Sequence, residues 1–295
     1  MNEQVTPACY RHPKTETYVR CTRCDRHICP DCMRDAAVGH QCVECVREGN
    51  KTVRQARTVF GGRAGAQPVV TYVLIGIIVA VYVADLLWPW LNDRFDSLGI
   101  GMLDVDGQSY QYDPDQDMDA VGIAAGQYER LVTSAFLHLP LSQGAAQSLL
   151  HMVLNVYWIW TLGRVVEQAL GAWRYTALYL LSAIGGSVLG YLVDPEQPAV
   201  GASGAVFGLA AAYFVFARRL GYDATRLLMF FVIWMVISAG FTSWQGHLGG
   251  LLTGGAVAAA LAYLPRRQHA AGLAGVLVLL AVLVAQQTAQ LTALM

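Results

Sequence analysis

From residue 68 onward the chain is a succession of long apolar runs, at about 69–88, 147–170, 173–193, 201–220, 226–242, 244–264 and 270–293. About 20 helical residues cross the roughly 30 Å hydrocarbon layer of a bilayer, so each run predicts a transmembrane helix. The expected fold is an all-α polytopic membrane protein. With 55% of residues hydrophobic and 14% charged, the composition fits that class.

The net charge of -1 conceals a segregation of sign. The first 67 residues hold 11 Lys/Arg against 7 Asp/Glu, whereas residues 89–147 hold 9 acids against 2 Arg. Basic residues also mark alternate connections: Arg164 and Arg174, then Arg218, Arg219 and Arg226, then Arg266 and Arg267. By the positive-inside rule all of these agree on one orientation, N-terminus cytoplasmic and C-terminus external. The acidic first loop, the Asp194-Pro195-Glu196 loop and the Thr242-Ser243 turn are then external. The asymmetry orients the chain in a membrane, expected to be the plasma membrane, and gives no reason to expect a nucleic-acid ligand. No secretory signal precedes the first run, so the N-terminal segment is expected to stay on the synthesis side. The first loop, about 58 residues long, is too long for a simple connector and predicts structure of its own.

All seven cysteines fall between residues 9 and 45, spaced Cys9-x2-His12-x8-Cys21-x2-Cys24-x4-Cys29-x2-Cys32-x9-Cys42-x2-Cys45. Eight soft ligands in four pairs suit two tetrahedral zinc sites. Disulfides would need an oxidising compartment and would leave one cysteine over. The segment lacks apolar residues for a core, so metal binding must supply much of its folding energy. The order of pairs resembles a B-box-like or RING-like cross-brace. That resemblance implies one site of Cys9, His12, Cys29 and Cys32 and another of Cys21, Cys24, Cys42 and Cys45. His27 and His40 remain spare; His40 competes with Cys42 as a ligand, although Cys42-x2-Cys45 keeps the gap of the other pairs. A protein-binding module with a cytoplasmic partner is expected in preference to ubiquitin-ligase-like recruitment. Residues 47–67, with Arg47, Lys51, Arg54, Arg57 and Arg63, read as a basic linker against the anionic leaflet, free enough that truncation before Pro68 spares the membrane part.

Polar residues within spans are costly and point to function when they face a bundle interior. His151 and Asn155 are four apart and share a helix face. Ser203 opens the fourth run within Gly201-Ala202-Ser203-Gly204, and His247 opens the sixth within Gly246-His247-Leu248-Gly249-Gly250. All four enter from the same side and lie at similar depth. Gly204, Gly208 and Ala212 recur every four residues in the fourth run, as do Gly246, Gly250, Gly254 and Ala258 in the sixth. Such stripes let two backbones approach closely, which brings Ser203 and His247 within hydrogen-bond reach. An adjacent imidazole supplies the base that a serine nucleophile needs. Each residue alone also reads as a packing or interhelical bonding group; their conjunction at one depth favours a catalytic reading.

With these motifs in order, residues 128–262 resemble a rhomboid protease core: His151-x3-Asn155, Gly201-x-Ser203-Gly204 and Gly246-His247-x2-Gly250-x3-Gly254. The resemblance implies a six-helix core with Ser203 as nucleophile and His247 as general base. It also implies an oxyanion hole of His151, Asn155 and the Ser203 N–H, and an aromatic, Phe207, packed on the base. Three features depart from the family pattern. Glu129-Arg130 stands where the family has Trp-Arg, the stretch from His138 to His151 carries extra residues including Pro140 and Gly144, and a seventh run follows the core. Glu167 matches a family glutamate at the opposite end of its helix; it also reads as an ordinary surface partner of Arg164.

The resulting expectation is a zinc-binding domain at 1–46, a basic linker at 47–67, a rhomboid core at 68–268 and an additional helix at 269–295. The expected activity is intramembrane serine proteolysis of transmembrane substrates near the external face of the lipid bilayer, with no cofactor for catalysis. The alternative is a rhomboid-like protein without catalysis that binds client helices. A transporter would want charges deep in the spans or broken helices, and Asp85, near a span end, is the nearest to that.

Overall fold

The computed structural model of the chain describes residues 6–52, 56–63, 65–103, 109–113, 118–240 and 243–293. Arg54, Thr242 and parts of the acidic first loop, at 104–108 and 114–117, fall outside them. The backbone separates into two compact units, Met1–Ala56 and Arg57–Met295.

The first unit is small and irregular. Strands β1 (Met33–Asp35) and β2 (His40–Cys42) pair antiparallel, with Met33 opposite Cys42, and helix α1 (Val43–Thr52) follows. Gly39 turns the hairpin at φ +64°, a left-handed conformation that glycine adopts without a Cβ clash. Among the described residues its buried hydrophobic ones are Ile28 and six of the cysteines, too little apolar surface to fold on hydrophobic burial alone.

In the second unit, helices form at all seven apolar runs: α2 (Val69–Leu87), α5 and α6 (Ala145–Trp158 and Arg164–Leu170), α7 (Ala172–Val193), α8 (Ser203–Arg219), α9 (Thr225–Ser238), α10 (Trp244–Tyr263) and α11 (His269–Thr292). A π turn at Ile159–Gly163 joins α5 to α6. Four helical stretches, Val69–Leu87, Ala145–Leu170, Ala172–Val193 and Arg266–Thr292, are long and apolar enough to cross a membrane. Helix α8 lies at the centre of the bundle: Gly204 to Ala212 are all buried.

Glycine makes the α7, α8 and α10 contact possible. A Cβ on Gly250 would run into the Gly204 carbonyl, one on Gly254 into Gly208, and one on Gly249 into the Gly185 carbonyl. The two small-residue stripes therefore do face each other, and the helix starts that carry Ser203 and His247 meet.

The first loop has its own structure. It holds helix α3 (Trp90–Phe95) and a three-stranded sheet ordered β4-β3-β5, from Ser109–Tyr110, Gly101–Leu103 and Ala120–Val121. Arg130, at the start of helix α4 (Arg130–Thr133), is 1% exposed. Its guanidinium donates to the Gln127 side chain, to the Asp93 and Asp96 carbonyls and to the Asp96 carboxylate. Burial pushes the Asp96 carboxyl up against the pull of Arg130, so the ion pair forms against a desolvation penalty.

At the other end of the bundle, Glu167 is not a surface partner of Arg164. Its buried carboxylate accepts from the Val70 N–H (2.9 Å), the Thr71 N–H (2.7 Å) and the Thr71 hydroxyl (2.7 Å), satisfying orphan donors at the start of α2. Arg164 instead donates to the Trp160 carbonyl and lies 3.8 Å from the centre of that indole ring.

The expected linker at 47–67 also differs. Residues 47–52 continue α1, and the boundary falls after residue 56. From Thr58 the chain is pinned to the second unit: the Gly62 N–H donates to Ala169 O, Arg266 donates to Thr58 O, and Phe60, 3% exposed, packs on Phe216 at 4.5 Å between ring centroids. Deleting residues 1–56 is therefore expected to leave the second unit's melting temperature unchanged. Deleting residues 1–67 instead uncovers the Phe216 face, at a cost of at least about 2 kcal/mol for the phenylalanine alone. Melting curves of the two truncations in one detergent check this.

Candidate active site

Gly201 sets the entrance to α8. Its φ of +128° suits glycine, and a Cβ there would come within 2.8 Å of the His151 ring; its N–H donates to the Ser134 carbonyl at 2.9 Å. Ser203 follows as the first residue of α8, where backbone N–H groups have no intrahelical acceptor. His247 sits in the first turn of α10, which the Ser243 hydroxyl caps by accepting the Gly246 N–H.

Ser203 Oγ and His247 Nε2 are 3.0 Å apart. The imidazole is 4% exposed and stacks on Phe207, with centroids 4.3 Å apart and planes within 9°. Its other nitrogen, Nδ1, has no hydrogen-bond partner among the described residues. The pair is thus held by aromatic packing, with no carboxylate bonded to Nδ1 among those residues.

His151 and Asn155 stand on one face of α5, with the Asn155 side chain donating to the His151 carbonyl at 2.9 Å. The His151 Nδ1 accepts the Leu139 N–H at 3.3 Å. An acceptor Nδ1 leaves the ring proton on Nε2. That nitrogen lies on the side of Gly201 and Ser203.

Two hollows meet at Ser203, His151 and His247. One, of about 530 Å³, is polar and is lined by Asp93, Asp96, Asp194, Gln197 and Gln245. The other, of about 500 Å³, is an apolar groove between α5 and α9, walled by Leu150, Leu154, Trp158, Phe230 and Trp234. The site therefore joins a polar side to an apolar one. Sequence reading missed Tyr82, Asn92 and Ser148, buried polar residues behind His151. Ser148, one helical turn before His151, was a signal that could have found them.

In the first unit the eight soft ligands gather into two groups, Cys9, His12, Cys29 and Cys32, and Cys21, Cys24, Cys42 and Cys45, with the ligand atoms of each within 4.8 Å of one another. Cys24 Sγ and Cys42 Sγ are 3.8 Å apart, about the edge of a tetrahedron with 2.3 Å metal–sulfur bonds and far beyond a disulfide. Each group can hold a metal ion. His40 joins neither and lies 3.4 Å from the Asp35 carboxylate.

A bundle of apolar helices with Ser203 and His247 in contact inside it defines a multi-pass membrane protein. Residues 125–264 match the rhomboid domain family model. It is 34% identical over 147 residues to Rhomboid protease GluP of Bacillus subtilis (strain 168), covering 47% of this chain and 27% of that protein. It is 33% identical over 138 residues to Rhomboid-like protease 3 of Toxoplasma gondii, covering 43% and 49% respectively. With Putative rhomboid protease YdcA of Bacillus subtilis it shares 29% identity over 142 residues, 45% of this chain and 67% of that one. The chain spans less than half the length of the first two relatives.

Proposed function

We propose that the chain is an intramembrane serine endopeptidase that cuts transmembrane segments of other membrane proteins near the external face. The observation that carries this reading is the 3.0 Å approach of Ser203 Oγ to His247 Nε2 at the junction of a polar cavity and an apolar groove. In the proposed reaction, His247 Nε2 takes the Ser203 proton as Oγ attacks the scissile carbonyl carbon. The carbonyl oxygen becomes an oxyanion at the start of α8, where the Ser203 N–H, the helix dipole, the His151 Nε2–H and Asn155 stabilise it. His247 then gives the proton to the leaving amine, and the C–N bond breaks. Water from the polar cavity, deprotonated by the same imidazole, releases the acyl group from Ser203. The apolar groove between α5 and α9 suits an apolar substrate segment, and the polar cavity suits the hydrated chain beyond it.

In the proposed topology the seven helices span the plasma membrane, with the N-terminus cytoplasmic and the C-terminus external. The two Cys/His groups bind structural zinc, because four thiolate or imidazole ligands at tetrahedral spacing close the coordination shell and leave no position for chemistry. The first unit then serves a cytoplasmic protein partner and is separable from catalysis after residue 56.

The test is to map the cut in a single-span substrate carrying a small residue near its external end, using purified protein in liposomes. The expected result is one cleavage within the outer third of the span. Cleavage at the cytoplasmic end, or in a soluble loop alone, would overturn the reading.

A further inference from the structure

Behind His151 lies a set of buried polar groups that the proposed reaction does not use. Asp85 near the end of α2 and Asn92 in α3 are each 6% exposed, and His138 is 1% exposed. The Asn92 side-chain nitrogen donates to Asp85 Oδ2 at 3.1 Å and to the His138 carbonyl at 2.8 Å. A carboxylate only accepts, so Asp85 compels Asn92 to present its NH2 group, and the second hydrogen reaches His138. The next peptide is gripped as well. Ser148 donates its hydroxyl to the Leu139 carbonyl at 2.6 Å, which leaves the Tyr82 hydroxyl to donate to Ser148 at 3.0 Å. Leu139, clamped from α2, α3 and α5, aims its own N–H at His151 Nδ1.

We propose that Asp85 and Asn92 are positioning residues for His151, holding the His138–Leu139 peptide so that the Leu139 N–H keeps Nδ1 an acceptor and Nε2 a donor toward Ser203. This rests on the reading of His151 as an oxyanion donor. The cluster is a costly way to anchor a loop: Asp85 Oδ1 and both ring nitrogens of His138 are buried without hydrogen-bond partners among the described residues, and aliphatic packing would avoid that penalty. In the same segment a 3-10 turn at Leu141–Gln143 ends at Gly144 with φ +109°.

The experiment is a double-mutant cycle on the full chain with a model transmembrane substrate, recording kcat, KM and melting temperature. The rate of fluorophosphonate labelling replaces kcat where turnover is too slow. A misplacement of about 1 Å can cost up to about 10²-fold in rate, so Asn92→Ala is expected to lower kcat about tenfold or more with KM nearly unchanged. In the His151→Ala background the same substitution is expected to change kcat less than about twofold, because the group it positions is already gone. Asp85→Asn, which can still accept from Asn92, is expected to retain more activity than Asp85→Leu and guards against a misfolded Asn92→Ala. Equal losses from Asn92→Ala in both backgrounds, losses that track melting temperature alone, or full activity in all three variants would overturn the proposal. Cleavage indifferent to Ser203→Ala would instead overturn the protease reading itself and this proposal with it.

Discussion

Purified Ser203→Ala is expected to lose at least about 10³-fold in kcat, about 4 kcal/mol of transition-state stabilisation, while its melting temperature stays close to that of the parent. Ser203 is the first residue of α8 and its hydroxyl meets the His247 ring at 3.0 Å, so removing one oxygen abolishes the proposed nucleophile and leaves the glycine contacts between α8 and α10 untouched. His247→Ala is expected to lose a similar factor, and the double variant little more, because nucleophile and base act as one unit. It is expected to lose more stability than Ser203→Ala, since the imidazole fills the space against Phe207. His151→Ala and Asn155→Ala remove one donor each from a set of several. Each is expected to lose about 10²–10³-fold, chiefly in kcat. Initial rates on a model transmembrane substrate, with melting curves of the same samples, separate these effects.

Removal of metal from the first unit is expected to unfold residues 9–45 while the second unit stays folded. The first unit's buried apolar content is Ile28 and cysteine, whereas structural zinc binding in small domains contributes on the order of 10–16 kcal/mol at neutral pH. Thiolate ligands compete with protons, so acid is expected to act as a chelator does. Metal analysis of the isolated Met1–Ala56 unit is expected to give two zinc ions per chain. One or none would contradict the two closed sites.

Much of this arrangement was legible in the sequence because a few local signals were unambiguous. Apolar runs placed the helices, and four-residue glycine repeats in two of them named the faces that meet at Gly204 and Gly250. The gaps of two residues between metal ligands likewise grouped Cys9 with His12 and Cys21 with Cys24, as the structure has them. What was not legible depended on long-range partners. Glu167 and Arg164 sit at helical ion-pair spacing, yet Glu167 is committed to the N–H groups of Val70 and Thr71, about a hundred residues away in sequence. Phe60 stands among basic residues that suggest a loose tether, and its burial follows from a partner, Phe216, far along the chain. Asn92 reads as a loop residue until the His138 carbonyl is placed beside it.

The most direct test of the central claim is peptide mapping after treatment of the folded, detergent-solubilised chain with a serine-reactive fluorophosphonate. A serine hydroxyl reacts rapidly only where a base removes its proton, so the account predicts a single adduct on Ser203 that is absent from His247→Ala. An adduct elsewhere, or labelling of Ser203 that survives His247→Ala at the same rate, would contradict it.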